Sequence, residues 1–482
     1  MAEEMTATSD KKVRFKDPSS TEAIKPYCPV TVEPIQFFVL TALFMNSSLR
    51  QQYIYYRIGN GTVNEQGSSC YGNSSNSSAY QERQNDQAEA TQWATAIQLT
   101  SGIPALVVTV MIGSLSDKLG RKLNITIPVI GSLINFTVAA FVVQFNLPIA
   151  ALLPGYFFLG LGGSAAALSG GCYAYIADIT LKGRSRYFRQ ALLAAAAGAS
   201  GIVAALGGNF WFQQLGFPLG ISQPFWFTVG LTGFCLLYTI FAVKETCPRK
   251  PGSQLCAVSN ITGIFQLFKV KRRTPRWPIG VLGLVFSLIW GMYNTIPTLI
   301  VTYLVGPPFC WSPSFVGFFQ GAVGAGFFVS AVAIKLFSKY PYVLMMVGYL
   351  SSVGCFTIAG LSPYTPNQDV AMFISAAIGC MLSASNTVLR TTMSKMVGPE
   401  EQGSLFGLVS FITSLSGVVF VPLWNFVYSR TIFIMPGMIW LIFAAVIVLS
   451  AILTGFVKFM APELEEDNLV EEEKEDYDTT KL

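Results

Sequence analysis

The sequence predicts an all-α membrane protein: twelve transmembrane helices arranged as two pseudo-symmetric six-helix halves. Three observations predict it. The 482 residues are 52% hydrophobic and only 12% charged, with a mean hydropathy of +0.50, whereas a soluble globular chain is about 25% charged. Twelve apolar runs recur along the chain, each close to the ~20 residues with which a helix crosses a bilayer. Threading those runs alternately through a membrane gathers the positive charge on one side. Of 31 Lys and Arg residues, only Arg50, Arg57, Arg83, Arg390 and Arg430 fall outside the segments placed in the cytosol, the asymmetry of the positive-inside rule.

Taken in order, residues 1–29 form a polar arm without the apolar core of a signal peptide, and are expected to be solvated and cytosolic. The N-terminal half, 30–243, opens on a helix over Val32–Tyr56, where Glu33 and Pro34 suit a first turn. Residues 57–92 are polar and carry Cys70 and the triplets at Asn60, Asn73 and Asn76. Three clustered N-x-S/T triplets predict a glycosylated outer loop. Triplets at Asn46, Asn124, Asn135 and Asn260 fall in helices or on the cytosolic side and are expected to stay unmodified. Apolar runs near 94–113, 123–144, 148–177, 188–211 and 225–243 complete this half. A polar cytosolic linker, 244–276, leads to the C-terminal half, 277–460, with runs near 277–303, 312–337, 341–361, 368–390, 403–424 and 434–459. The acidic tail 461–482 loosely resembles an acidic dileucine sorting signal from Glu465 to Val470, which would make sorting machinery a partner. Both termini then face the cytosol, of either a plasma or an endolysosomal membrane.

Composition also excludes function classes. The chain has no histidine, which removes His-based acid–base catalysis, a Ser–His–Asp triad and His metal sites. Its nine cysteines show no C-x-x-C spacing. No metal, cofactor or nucleic-acid partner is expected, and no enzyme. Small residues at helical spacing (Gly160, Gly162 and Gly163; Ala194, Gly198 and Gly201; Gly317 and Gly321) read as close-packing faces, since no P-loop lysine accompanies them.

The junction between the second and third runs reads GSLSDKLGRK, from Gly113 to Lys122. A charged tight loop here would use Gly120 for a positive φ, Asp117 to face a helix N-terminus and Arg121 to pair with a carboxylate. Gly113, Asp117, Lys118, Gly120, Arg121 and Lys122 match a loop motif of the major facilitator superfamily, which this chain resembles. The resemblance implies two six-helix halves rocking about a central site, with this loop latching the cytosolic side.

A narrower resemblance runs from about residue 32 to 460. The pieces VEPIQFF, QQYIYYR, YIADIT, GRSRYFRQALL, PPFCW, VLRTTMSKMV and EEQGSLFG are similar to solute carrier family 46, the family of the proton-coupled folate transporter. It implies that Asp117, Arg121 and Asp178 form a cytoplasmic gate, that Arg390 shapes the substrate cavity, and that Cys70 and Cys310 form a disulfide. It also implies folate-like or related organic anions, or muropeptides, as substrates, with proton coupling. The chain departs from the folate transporter at three polar positions, now Ala194, Tyr293 and Tyr156, which counts against folate itself and against coupling by the family route.

From the residues alone, an ionisable side chain inside a bilayer is a functional candidate by default. Arg390 and Arg50 are the intramembrane cations, and no acidic residue is expected at mid-membrane. A positive or neutral cavity suits a small organic anion or zwitterion; alternatively, Arg390 only satisfies helix carbonyls or pairs with gate carboxylates. Gln98, Gln190, Tyr293, Asn294, Gln320 and Asn386 are further candidates for the cavity faces. A non-transporting receptor or sensor in a transporter fold stays open as the alternative to a carrier.

Overall fold

The computed structural model describes residues 31–59, 78–180, 184–215, 219–246, 277–337, 340–396 and 402–460. The described residues are helical, without strands, as a segment in hydrocarbon must be to bond its own backbone groups. The N-terminal half comprises α1 (Glu33–Ile58), α2 (Ser78–Leu119), α3 (Arg121–Gln144), α4 (Leu153–Leu161), α5 (Ser164–Ile179), α6 (Arg184–Leu215) and α7 (Leu219–Ala242). The C-terminal half comprises α8 (Trp277–Val305), α9 (Pro313–Leu336), α10 (Pro341–Leu361), α11 (Gln368–Ile378), α12 (Leu382–Lys395), α13 (Gln402–Thr431) and α14 (Met438–Met460). Ten described stretches are long and apolar enough to cross a membrane. α1 and α2 are as long but more polar, and counting them as passes gives twelve.

Two expected single runs are broken in their middles. The run 148–177 becomes a 3-10 turn at Ile149–Leu152, then α4, then α5, which starts after Gly163 at φ 75°. The break lies where α3 presses in: a Cβ on Gly131 would sit 2.8 Å from the Phe158 carbonyl oxygen and 3.1 Å from the Gly162 Cα. The run 368–390 breaks at the 3-10 turn Gly379–Met381 between α11 and α12. There the Ser351 hydroxyl donates to the Ile378 carbonyl at 2.5 Å and accepts from the Met381 N–H at 3.3 Å, replacing partners that the interrupted ladder lacks.

Two expected loops are helical. Residues 78–92, expected as part of the outer loop, are the first four turns of α2. They pack through Gln84, Gln87 and Thr91, all buried, so this helical stripe is built of amides and a hydroxyl and escapes a hydropathy reading. The junction Gly113–Lys122 is likewise no loop. α2 continues to Leu119 and α3 begins at Arg121, which leaves Gly120 alone, at φ 117°, in a conformation that favours glycine. Asn46, Asn124 and Asn135 are buried within helices. Asn60, Asn73, Asn76, Cys70, the arm 1–29, most of the linker 244–276 and the tail 461–482 lie outside the described residues.

The halves meet along two seams, α6 against α9 and α2 against α13. A Cβ on Gly317 would lie 2.6 Å from the Ala205 carbonyl oxygen, and one on Gly321 would lie 3.2 Å from Leu206. Within the N-terminal half, a Cβ on Gly160 would approach the Ser101 carbonyl oxygen to 2.3 Å, whereas one on Gly170 would meet nothing within 4 Å. Gly160→Ala should therefore destabilise by about 1–3 kcal/mol, the usual cost of overpacking, and Gly170→Ala should not. Thermal unfolding of the two purified variants in detergent checks the contrast.

Candidate functional site

The structure brings polar side chains together at four places. At the α2–α3 end, Arg121 donates from Nε to Asp178 Oδ2 at 2.8 Å. The Thr246 hydroxyl donates to the same oxygen at 3.2 Å. Glu245, just after α7, accepts the backbone N–H groups of Arg121 (2.7 Å) and Lys122 (3.2 Å). A carboxylate there meets the positive end of α3 and satisfies donors that a helix N-terminus leaves open. A Cβ on Gly120 would lie 2.3 Å from Glu245 Oε2, so the glycine is needed for space as well as for its φ. Lys122 Nζ donates to the Ile240 carbonyl at 2.6 Å. Gly113, Asp117 and Lys118 lie on the last turns of α2, their side chains outside the described part. A second ion pair joins α6 to the start of α1: Arg189 Nε and Nη2 donate to Glu33 Oε1 at 2.9 and 2.5 Å, and the Thr31 N–H donates to Oε2 at 2.9 Å.

Sequence reasoning missed Glu245, Thr246 and Arg189. The one available signal was an isolated carboxylate, Glu245, opening a basic linker.

Deeper in the bundle, Arg390 on α12 lies over two rings of α8, 4.6 Å from the Trp290 centroid and 5.0 Å from that of Phe286. Trp290 and Phe286 are themselves stacked at 5.8 Å. Tyr173 of α5 lies within electrostatic reach of Arg390 from the opposite half. No carboxylate among the described residues pairs with Arg390. Arg390 Nε, Trp290 Nε1 and, one turn back on α12, Asn386 Oδ1 are buried without a hydrogen-bond partner. Asn294, one turn beyond Trp290, and Gln98 of α2 both face Gly417, whose Cβ would lie 3.8 and 3.6 Å from their amide nitrogens. Gln98 and Asn294 thus approach each other across α2 and α8 beside Gly417 of α13. Gln190, beside Arg189 near the start of α6, does not join them through any described hydrogen bond. The Tyr293 hydroxyl donates to the Leu382 carbonyl inside the C-terminal half.

The third place surrounds Arg50, which is 8% exposed. Its Nη1 donates to the Tyr156 hydroxyl at 2.9 Å, and that hydroxyl donates to Asn46 Oδ1 at 3.1 Å. Arg50 Nε and Asn46 Nδ2 are buried without partners. The fourth lies toward the α1–α2 end, where neutral side chains tie the halves together. Gln51 donates to Thr302 at 2.7 Å, Gln87 to the Thr302 carbonyl at 3.0 Å and Gln84 to the Ile432 carbonyl at 3.0 Å. Ser48 donates to Gln320 at 3.1 Å, and Asn425 to Thr95 at 3.0 Å. Gln320 is thus a bridge between the halves. Cys310, just beyond α8, is disulfide-bonded.

A helical bundle in two halves, with two buried arginines that no described carboxylate pairs and ion pairs at one end, is an architecture that membrane transporters share. The Major Facilitator Superfamily profile matches residues 66–422, and the chain belongs to that superfamily. It is 28% identical over 442 residues to the lysosomal proton-coupled steroid conjugate and bile acid symporter of Mus musculus, covering 89% of this chain and 94% of that protein. It is 25% identical over 439 residues to the proton-coupled folate transporter of Rattus norvegicus, covering 89% and 92%. Both are members of solute carrier family 46. Among solved structures, the nucleoside transporter NupG superposes with a TM-score of 0.60 at 15% identity, over 88% of this chain and 98% of that one. The human organic anion transporter MFSD10 superposes with a TM-score of 0.57 at 15% identity, over 88% and 98%. The chain is a multi-pass transmembrane solute transporter.

Glu245 generates a prediction of its own. Glu245→Ala removes the acceptor at the N-terminus of α3 and should cost about 1 kcal/mol, as loss of a helix N-cap does. Glu245→Gln keeps an acceptor oxygen and should cost less. Thermal unfolding of the purified variants reads both.

Proposed function

We propose that the chain moves a small organic anion or zwitterion across the membrane by alternating access, and that Arg390 receives the negative charge of the solute. One observation carries the reading. A largely buried guanidinium lies against two aromatic faces of α8, with Tyr173 of the other half within electrostatic reach, and no described carboxylate neutralises it. A buried cation without a counter-charge is costly, and an anionic solute bound there would supply that charge. The unpartnered Trp290 N–H adds a second donor, and the stacked rings suit a flat or apolar body. Arg50, the other buried cation without a described carboxylate, extends the positive character of the N-terminal half. The relatives' names, a folate transporter and a steroid conjugate and bile acid symporter, point toward the same class of organic solute.

Arg121, Asp178 and Glu245 act in this reading as the latch of the cytosolic side, and the amide contacts of the α1–α2 end as the seal of the opposite side. Proton coupling belongs to the proposal because both relatives are named proton-coupled. With no histidine in the chain and Ala194 where the folate transporter it resembles carries a carboxylate, Asp178 or Glu33 is the carboxylate proposed to take the proton.

The test is uptake of labelled folate, a bile acid conjugate and a muropeptide into cells expressing the chain, at acidic and neutral outside pH, with surface protein quantified. Arg390→Ala should lower uptake of the transported solute at least ~tenfold with unchanged surface level, the loss of one charge-assisted contact. Arg390→Lys should restore it only in part, since an ammonium lacks the planar stack. Unchanged uptake in Arg390→Ala sinks the reading. In the same assay, the reversed pair Arg121→Asp with Asp178→Arg should recover flux that either single change loses. A flat pH profile assigns facilitative transport, and no flux of any of the three from surface-resident protein returns the receptor reading.

The proposed orientation places Asn60, Asn73 and Asn76 and a Cys70–Cys310 disulfide outside the cytosol. Glycosidase treatment should shift the wild-type band on a gel, and changing all three asparagines to Gln should abolish that shift.

A further inference from the structure

The seam between α2 and α13 carries a second site. Toward the α1–α2 end it opens into a groove of about 680 Å³. Asn85, Glu89, Gln92 and Trp93 line it from α2, and Arg430 and Phe433 from the α13 side. The α2 positions share a helical face, being three or four residues apart. That face is turned away from the buried Gln84, Gln87 and Thr91, so the groove opens outward, toward lipid.

Two charges of opposite sign sit in this groove without closing on each other. Arg430 makes a described contact only with the Phe426 ring, at 5.5 Å, and no ion pair joins it to Glu89. Glu89 is instead crowded by like charge. Burial, together with Glu82 and Glu89, holds the Asp86 carboxyl above its ordinary range, against the opposing effect of Arg83. The groove therefore offers a cation, Arg430, for an anionic group and a carboxylate, Glu89, for a cationic one.

Away from this polar end, both helices turn apolar on the same outward face. Ile103 and Val107 on α2, and Phe426, Leu423 and Val419 on α13, are each between 44% and 59% exposed. Polar at the membrane surface and apolar below it, the seam has the polarity profile of a lipid standing upright in one leaflet.

We propose that this groove binds the headgroup of a zwitterionic phospholipid in the leaflet on the α1–α2 side. Arg430 takes the phosphate, Glu89 with the Asn85 and Gln92 amides takes the ammonium, and the acyl chains lie along the exposed stripes. Arginine suits a phosphate through its planar fork of donors. The bound lipid bridges α2 and α13, which belong to different halves and are otherwise joined there by Thr95–Asn425 and Gln84–Ile432. The lipid would thus favour the state in which this end is closed. This site is independent of the solute site at Arg390.

The test uses the full chain, purified and delipidated in detergent. Native mass spectrometry titrates phosphatidylethanolamine, phosphatidylcholine and phosphatidylglycerol of matched acyl chains. The zwitterionic lipids should bind more tightly than phosphatidylglycerol, which carries the phosphate without an ammonium. Arg430→Gln and Glu89→Gln should each weaken zwitterionic binding by roughly tenfold, the loss of one charge-assisted contact, while Lys458→Gln at the opposite end leaves it unchanged. In a second measurement, tail-brominated phosphatidylethanolamine should quench wild-type fluorescence more than that of Trp93→Phe. Equal or tighter binding of phosphatidylglycerol, or groove variants that bind like wild type, overturns the proposal.

Discussion

A polar group in hydrocarbon must find its partner inside the protein, and the structure follows from how that constraint is met at each depth. Backbone groups are satisfied by helix formation. Where a helix breaks, at Gly379–Met381, the Ser351 hydroxyl takes up the freed groups. Charged side chains are paired near the α2–α3 end, as Arg121 with Asp178 and Arg189 with Glu33. Between these layers, the guanidinium of Arg390 is held by aromatic faces instead of a carboxylate. Its Nε, like that of Arg50 in the other half, is buried without a hydrogen-bond partner, and an anionic solute is proposed to complete the satisfaction of Arg390.

The two ends of the bundle are built from different bonds. Among the described residues, side-chain hydrogen bonds between the halves lie toward the α1–α2 end and are neutral: Gln51 to Thr302, Gln87 and Gln84 to backbone carbonyls, Ser48 to Gln320. Each contributes only about 0.5–1.5 kcal/mol net, and breaking it strands no charge. The ion pairs of the other end lie within the N-terminal half, where they fix α3 to α5 and α1 to α6. A rigid half and an amide seam that opens without separating charges are compatible with a rocking movement of one half against the other.

Much of this was legible in the chain. Apolar runs of bilayer length gave the helices, and the spacing of Gly120 and Arg121 pointed to a strained junction and an ion pair. A single arginine in an apolar run singled out Arg390, because a charge there is expensive enough to need a reason. Hydropathy failed where helices pack through polar faces. Gln84, Gln87 and Thr91 read as loop, yet they form a buried stripe on α2. The partners Glu245 and Arg189 were hidden for another reason: a contact between residues more than a hundred positions apart leaves no local pattern.

The class of the protein, its helices and the identity of its rare intramembrane charges follow from the order of residues alone, because transfer of each segment into lipid depends on local composition. Which charges are paired was settled only by the packed bundle. Asp178 went to Arg121, Glu33 to Arg189, and Arg390 was left with Trp290 and Phe286. Packing also placed Glu89 and Arg430 in one groove without neutralising each other. Pairing depends on distances of a few ångströms between remote helices, and those are set by glycine-mediated contacts such as Gly317 on Ala205 and Gly160 on Ser101, which no stretch of sequence displays on its own.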